Sequence, residues 1–182
     1  MLLHTCCAPC ALPIIKYLLE INRKGGIVLY FYNPNIFPEG EYKKRLKDVE
    51  KIAKIYKLKL IVGKYEHSKW LDYVKESLSR LPDEYPENSE RCLNCFHFRL
   101  EEIAEFAKKN NFDEFGSTLS INRFKNTEFI SNYGKSLAKK HQIKYKEFSL
   151  DANKVYKMGL ELSKKHNLYR QKYCGCEFSI MI

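Results

Sequence analysis

Met1-Leu2-Leu3-His4-Thr5-Cys6-Cys7-Ala8-Pro9-Cys10 opens the chain, and its reading decides the fold. Met1–Cys6 has the short apolar character of a buried strand. It runs directly into a turn carrying three thiols, and Ala11–Asn22 then follows with apolar residues at helical spacing. The same unit recurs along the chain. Ile27–Asn33, Leu58–Gly63, Glu114–Leu119 and Ile143–Leu150 read as strands, while Glu41–Tyr56, Lys69–Leu78, Phe96–Asn110, Glu128–His141 and Asn153–His166 read as helices. Leu46, Val49, Ala53 and Tyr56 illustrate the helical period. Alternation of this kind predicts an α/β fold, a Rossmann-like parallel sheet of about five strands with helices on both faces. A chain of 182 residues suits one domain over 1–182.

Open parallel sheets bind ligands at the carboxyl ends of their strands. Function is therefore expected in Thr5–Cys10, in Asn33-Pro34-Asn35, in Ser120-Ile121-Asn122-Arg123 and at Asp151, each placed after a strand. Leu81–Arg91, with Pro82 and Pro86, breaks the helical period and reads as a long loop delivering Cys92 and Cys95 to the same rim. The rim is expected to be rich in cysteine.

Cys7-x-x-Cys10, Cys92-x-x-Cys95 and Cys174-x-Cys176, with Cys6 in addition, make seven cysteines from distant parts of the chain. An odd count argues against a disulfide framework, and close pairs of thiolates are the usual way to gather soft ligands around a metal or cluster. Four thiolates complete one [4Fe–4S] cluster or one structural zinc. The remaining three exceed that need and point to a second metal or a reactive thiolate. No G-x-x-x-x-G-K-[ST] and no G-x-G-x-x-G follows the first strand, so neither a nucleotide triphosphate nor a dinucleotide is indicated. Electrons are expected from outside, through the metal centre.

The net charge of +10 and a pI of about 9.2 suit a phosphate-rich partner. No run approaches the roughly 18 apolar residues of a membrane span, and no basic region precedes the first apolar segment. A cytoplasmic protein with no membrane partner is expected.

Taken together, Leu3–Cys10, Phe31-Tyr32-Asn33-Pro34-Asn35-Ile36 with Glu41-Tyr42, Arg91-Cys92-Leu93-Asn94-Cys95-Phe96 with Arg99-Leu100, and Leu168-Tyr169-Arg170-Gln171-Lys172-Tyr173-Cys174-Gly175-Cys176 resemble the cobalamin-independent epoxyqueuosine reductases, the QueH family. The resemblance covers nearly the whole chain. It departs at Gly116–Arg123, where the family pattern is Ser-Thr-Thr-Leu followed by Ser-Pro. It implies an oxidoreductase that reduces the epoxide of epoxyqueuosine at the wobble position of tRNA, giving queuosine in the last step of that biosynthesis. It also implies iron–sulfur chemistry without cobalamin.

On this expectation a [4Fe–4S] cluster and a second, mononuclear iron are held by Cys6, Cys7, Cys10, Cys92, Cys95, Cys174, Cys176 and Asp151. Cys92 and Cys95 go to the cluster, and the division of the other cysteines stays open. Cys6 and Asp151 are the candidate catalytic residues, Asp151 having helix capping as its alternative role. Tyr32, Asn33, Asn35, Arg123, Tyr169, Arg170 and Gln171 are candidate substrate contacts, and Arg123, Lys125, Lys139 and Lys140 candidate phosphate contacts. The partners are tRNA containing epoxyqueuosine and an external low-potential electron donor. Two rivals are an ATP-dependent iron–sulfur tRNA thiolation enzyme, marked by tRNA-dependent ATP hydrolysis, and a colourless zinc-binding RNA module.

A basic RNA-binding surface releases counterions on binding, so affinity for tRNA should fall steeply between low and physiological salt. Titrations at several salt concentrations test this, and a flat response would remove the surface cations from RNA binding.

Overall fold

The computed structural model describes residues 1–21 and 26–179. Five strands, β1 (Leu2–His4), β2 (Val28–Phe31), β3 (Lys59–Val62), β4 (Glu114–Ser117) and β5 (Lys144–Tyr145), form one sheet in the order β3-β2-β1-β4-β5. Every pairing is parallel, with Leu3 opposite Leu29 on one side and Gly116 on the other. Between the strands run α1 (Ala8–Glu20), α2 (Glu39–Ile55), α3 (His67–Glu76), α4 (Glu90–Lys109) and α5 (Thr127–His141), and α6 (Ala152–Lys165) follows β5.

Side chains alternate across the pleat, and each face of the sheet therefore builds its own core. Leu3, Leu29 and Phe31 pack with Leu12, Ile15, Val49 and Ile52 of α1 and α2. Leu2, Tyr30, Tyr32 and Phe115 pack with Phe96, Leu100 and Ile103 of α4 and with Ile130 and Leu137 of α5. The α/β expectation holds, helices on both faces included. The chain leaves β1 toward β2 on one side and returns to β4 on the other. The crevice beyond the ends of β1 and β4 is consequently the topological switch point, where such sheets bind ligands.

Several expected boundaries move, and four of the moves have a local reason. The first helix begins at Ala8 rather than Ala11, because Pro9 sits in its first turn, where a missing N–H costs nothing. Cys7 is thus its N-cap and Cys10 lies within it; Asn22, the expected end of that helix, lies outside the described residues. α4 begins at Glu90 rather than Phe96, with Ser89 as N-cap and the acid in the first turn, so Cys92 and Cys95 ride on a helix and not on a loop. β4 ends at Ser117 and passes into a 3₁₀ turn over Thr118–Ile121. β5 keeps two residues of the expected eight, because Phe148 turns away into the core beneath α1 and α2.

α6 lies against α1 at an unusually close approach. A Cβ on Gly159 would stand 2.8 Å from the Pro9 carbonyl oxygen, a backbone atom that cannot swing aside. Gly159→Val should therefore lower stability by about 1–3 kcal/mol, or several degrees in thermal melting for a domain of this size. Gly40→Ala in α2, where nothing lies within 4 Å of the added carbon, should be neutral or stabilising. Equal melting temperatures for the two variants would contradict the packing described.

Candidate metal centre and cleft

Cys6, Cys7 and Cys10 are brought together by the turn from β1 into α1. Their three sulfurs lie within 4.8 Å of one another, with Cys6 Sγ and Cys7 Sγ 3.8 Å apart. The turn is held from the 3₁₀ turn after β4: the Cys6 N–H donates to Thr118 Oγ1 at 3.1 Å, and the Thr118 hydroxyl donates to Cys6 Sγ at 3.2 Å. Asn33 Nδ2 donates to the Thr5 carbonyl at 3.0 Å. The amino end of α1 points at the group, which favours negative charge there.

Three sulfurs this close compete for one charge. Contacts with Cys10, Cys7 and Thr118 hold the Cys6 thiol well below its ordinary range despite burial. Cys10 is pushed well above it by Cys6, Cys7 and burial. Cys7, although its contact with Cys10 favours the thiolate, is pushed up to about 12 by Cys6 and burial. A soft cation among the three would relieve this competition and let all of them ionise.

The other four cysteines form a neighbouring group. Cys92 and Cys95 occupy one face of the first turns of α4, and residues 174 and 176 approach from the carboxyl end of the chain. Burial first, and then the charge of Cys174, raise both the Cys92 and the Cys95 thiol. The same two causes push Cys176 up to about 12. Two cations face the group. Lys125 Nζ lies 2.7 Å from Cys174 Sγ, and Arg99, itself buried, favours the Cys95 thiolate. Among the described residues all seven cysteines are free thiols, a donor set that fits soft metals and iron–sulfur clusters.

The segment bearing Cys174 is gripped by a buried ion pair. Arg45 Nε donates to Glu41 Oε1 at 2.8 Å, while its two other nitrogens donate to the carbonyls of Cys174 and Tyr173 at 2.8 and 3.2 Å. Glu41 also accepts from the Tyr169 hydroxyl at 2.8 Å. Gly175 has a φ of +141°, and a Cβ there would press on Arg45, Ile36 and Asn35. Only glycine fits this turn without strain.

Both groups open onto a cleft of about 490 Å³, lined by Cys6, Cys10 and Cys174 together with Asn33, Asn35, Thr118 and Gln171. Of the expected substrate contacts, Asn33, Asn35, Arg123, Arg170 and Gln171 line it. Gln171 Nε2 donates to Cys7 Sγ at 3.0 Å. Asn33 Oδ1 accepts from Arg99 at 2.6 Å, whereas the buried Asn35 Oδ1 has no partner. Tyr32 is core, stacked between Tyr30 and Phe98. Tyr169 braces α2 from outside the cleft, through Glu41 and the Asp48 carboxylate.

Asp151 was expected among the metal ligands. Its carboxylate accepts from the Lys154 N–H at 2.8 Å as the exposed N-cap of α6 and lies outside the cleft lining. Lys140 pairs with Glu101 on the far side of α4, and Lys139 is exposed near it on α5; neither lines the cleft. Glu101, Glu105 and His141 also cluster there, outside the cleft, with Glu101 already engaged by Tyr133 and Lys140.

The sequence alone assigns no role to Thr118, Arg99, Arg45 or His4, although His4 and Arg99 stand within the stretches that carry the family resemblance. His4 is fully buried between Ser117 Oγ and the Tyr32 carbonyl, and burial, followed by Arg99, lowers its pKa to about 3. A neutral imidazole therefore lies beneath the cysteine turn. Of these four, Arg45, four residues after Glu41, and Arg99, four residues after Cys95, carried a local signal.

The family model described as "Epoxyqueuosine reductase QueH" matches residues 1–181. A Thermotoga maritima protein of that name is 36% identical, over all of this chain and 90% of its own length. Those of Staphylococcus epidermidis and Haemophilus influenzae are each 34% identical, over 100% and 99% of this chain and 76% and 71% of their own.

Removing one partner of a buried ion pair strands the other, at about 3–5 kcal/mol. Arg45→Met should thus release residues 169–176, read as faster amide exchange and earlier proteolytic cleavage there than elsewhere. Unchanged protection of that segment would show that Arg45 does not hold it.

Proposed function

The chain belongs to the epoxyqueuosine reductase QueH family, and from that premise we propose that it reduces the epoxide of epoxyqueuosine at the wobble position of tRNA to give queuosine. It is an oxidoreductase. The reaction takes up two electrons and two protons, breaks both carbon–oxygen bonds of the epoxide and releases the oxygen as water. Among the described residues no helix is long and apolar enough to cross a membrane.

The observation that carries the reading is the division of the seven cysteines into a close trio and a neighbouring quartet beside one cleft. In this reading Cys92, Cys95, Cys174 and Cys176 hold a [4Fe–4S] cluster, and Cys6, Cys7 and Cys10 hold a separate iron. When bound, these groups supply electrons from an external low-potential donor and a Lewis acid for the epoxide oxygen. Cobalamin has no part in the scheme.

The protein's own residues do the rest. Cys6 faces the cleft, held by Thr118. Lys125 and Arg99 offset the negative charge of the sulfurs, and burial of Cys92, Cys95 and Cys176 keeps water from that side of the quartet while Cys174 faces the cleft. Asn35 Oδ1, a buried acceptor without a partner in the cleft wall, is available to an N–H of the modified base. Asn33, Arg170 and Gln171 complete that wall. Asp151 stays the cap of α6. The working location of such an enzyme, with a tRNA substrate, is the cytoplasm.

Anaerobically prepared protein should contain close to four sulfides and more than four irons per chain, and wild-type protein should convert epoxyqueuosine-containing tRNA to queuosine when a low-potential donor is added. Serine at position 92, 95, 174 or 176 should bleach the visible absorbance. Serine at 6, 7 or 10 should keep most of it while turnover falls at least a hundredfold, because a hydroxyl is a poor substitute for a soft thiolate. A colourless preparation holding one zinc, or seven variants that all behave alike, would overturn the two-centre reading.

A further inference from the structure

Phe124 stands at the mouth of the cleft with 51% of its surface exposed. A single exposed phenylalanine is ordinary, but this one is held as a rigid plate. The Arg123 guanidinium lies 4.6 Å from its ring centroid and 4.3 Å from that of Tyr156, and Tyr156 meets Phe124 edge-on at 85°. The backbone beneath is pinned on both sides. The Phe124 N–H donates to Asn122 Oδ1 and its carbonyl accepts from Asn88 Nδ2, each at 3.0 Å, while the Lys125 N–H donates to the Asn122 carbonyl at 2.9 Å. Exposure here does not come from a slack loop.

Arg123 has no carboxylate within ion-pair distance among the described residues; its side chain donates to Asn153 Oδ1 at 3.1 Å. A flat ring, backed by an uncompensated cation and set beside a cleft that leads to the cysteines, has the makings of a stacking surface for an unpaired nucleobase with its phosphate nearby. We propose that Phe124, backed by Arg123 and Tyr156, stacks the base that flanks the modified nucleotide, and so holds the RNA loop open while that nucleotide enters the cleft. A protein partner is disfavoured, because Phe124 is the strongly exposed ring of the pair and the Arg123 cation lies against both it and Tyr156. The inference rests on the tRNA substrate proposed above. It goes beyond that reading in assigning a separate subsite for a neighbouring base.

The test uses the metal-loaded enzyme and an RNA hairpin bearing the anticodon loop, with 2-aminopurine next to the wobble position. Stacking on an aromatic ring quenches 2-aminopurine fluorescence, so binding and stacking are read separately. Wild type should quench the probe. Phe124→Ala should weaken binding about tenfold and abolish the quenching, and Phe124→Trp should restore both. Unchanged affinity and quenching in Phe124→Ala would overturn the inference, as would weaker binding with the quenching intact. In parallel, wild-type enzyme is given the same hairpin with epoxyqueuosine at the wobble position. Failure to reduce it would overturn the substrate reading and this inference with it, whereas reduction without a Phe124-dependent quench overturns the inference alone.

Discussion

Three sulfur atoms within 4.8 Å of one another cannot all carry the negative charge that makes a thiol a ligand unless a cation lies among them. The rest of the site follows from that constraint. At one thiolate per trio, Cys6 keeps the charge because it has the Thr118 hydroxyl as a further donor and the other two thiols beside it. Cys7 and Cys10 stay protonated. The fold thus holds three soft donors at close range in a charge state that only a bound cation can complete. That arrangement lies where the sheet reverses its strand order, the place in open parallel sheets where ligands bind.

Proximity of the second group is a separate matter of long-range packing. Residues 174 and 176 lie far from α4 in sequence, and beyond Cys176 and Phe178, which pack with Trp70, Val74 and Cys95, their segment is docked through polar groups. Arg45 and Glu41 supply them. One buried guanidinium reaches two carbonyls of the segment and one carboxylate of its own helix, and the same carboxylate reaches Tyr169. A buried ion pair contributes little net stability, but it selects one register for the segment, and register decides which sulfurs meet. Gly175 allows the turn on which this depends.

Much of this was legible in the sequence because it is written in local pattern. Alternating strand and helix periods gave the sheet and its two helical faces, and the position of Cys6, Cys7 and Cys10 after the first strand gave the rim. What was not legible depends on contacts between distant residues. Nothing local marks Thr118 as the support of Cys6, whereas Arg99, four residues after Cys95 on α4, carried the helical spacing that places it beside that thiol. Pro82 and Pro86 mask the Ser89-Glu90 helix signal, so the sequence alone places the start of this helix at Phe96 and not at Glu90. Asp151 shows the ambiguity of a residue that both follows a strand and precedes a helix: the N–H of Lys154 takes its carboxylate. Tyr32 shows a similar limit, since a tyrosine after a strand reads equally as contact or core, and here the stack with Tyr30 and Phe98 decides for core.

The central claim is that trio and quartet hold two distinct iron environments beside one cleft. Mössbauer spectroscopy of anaerobically prepared protein enriched in ⁵⁷Fe tests it most directly. The account predicts two components, about four-fifths of the iron in a [4Fe–4S] signature and the remainder in a separate thiolate-bound site. Substitution of Cys10 by serine should change the minor component and leave the major one in place. A single component, or one that Cys10→Ser removes entirely, would contradict the account.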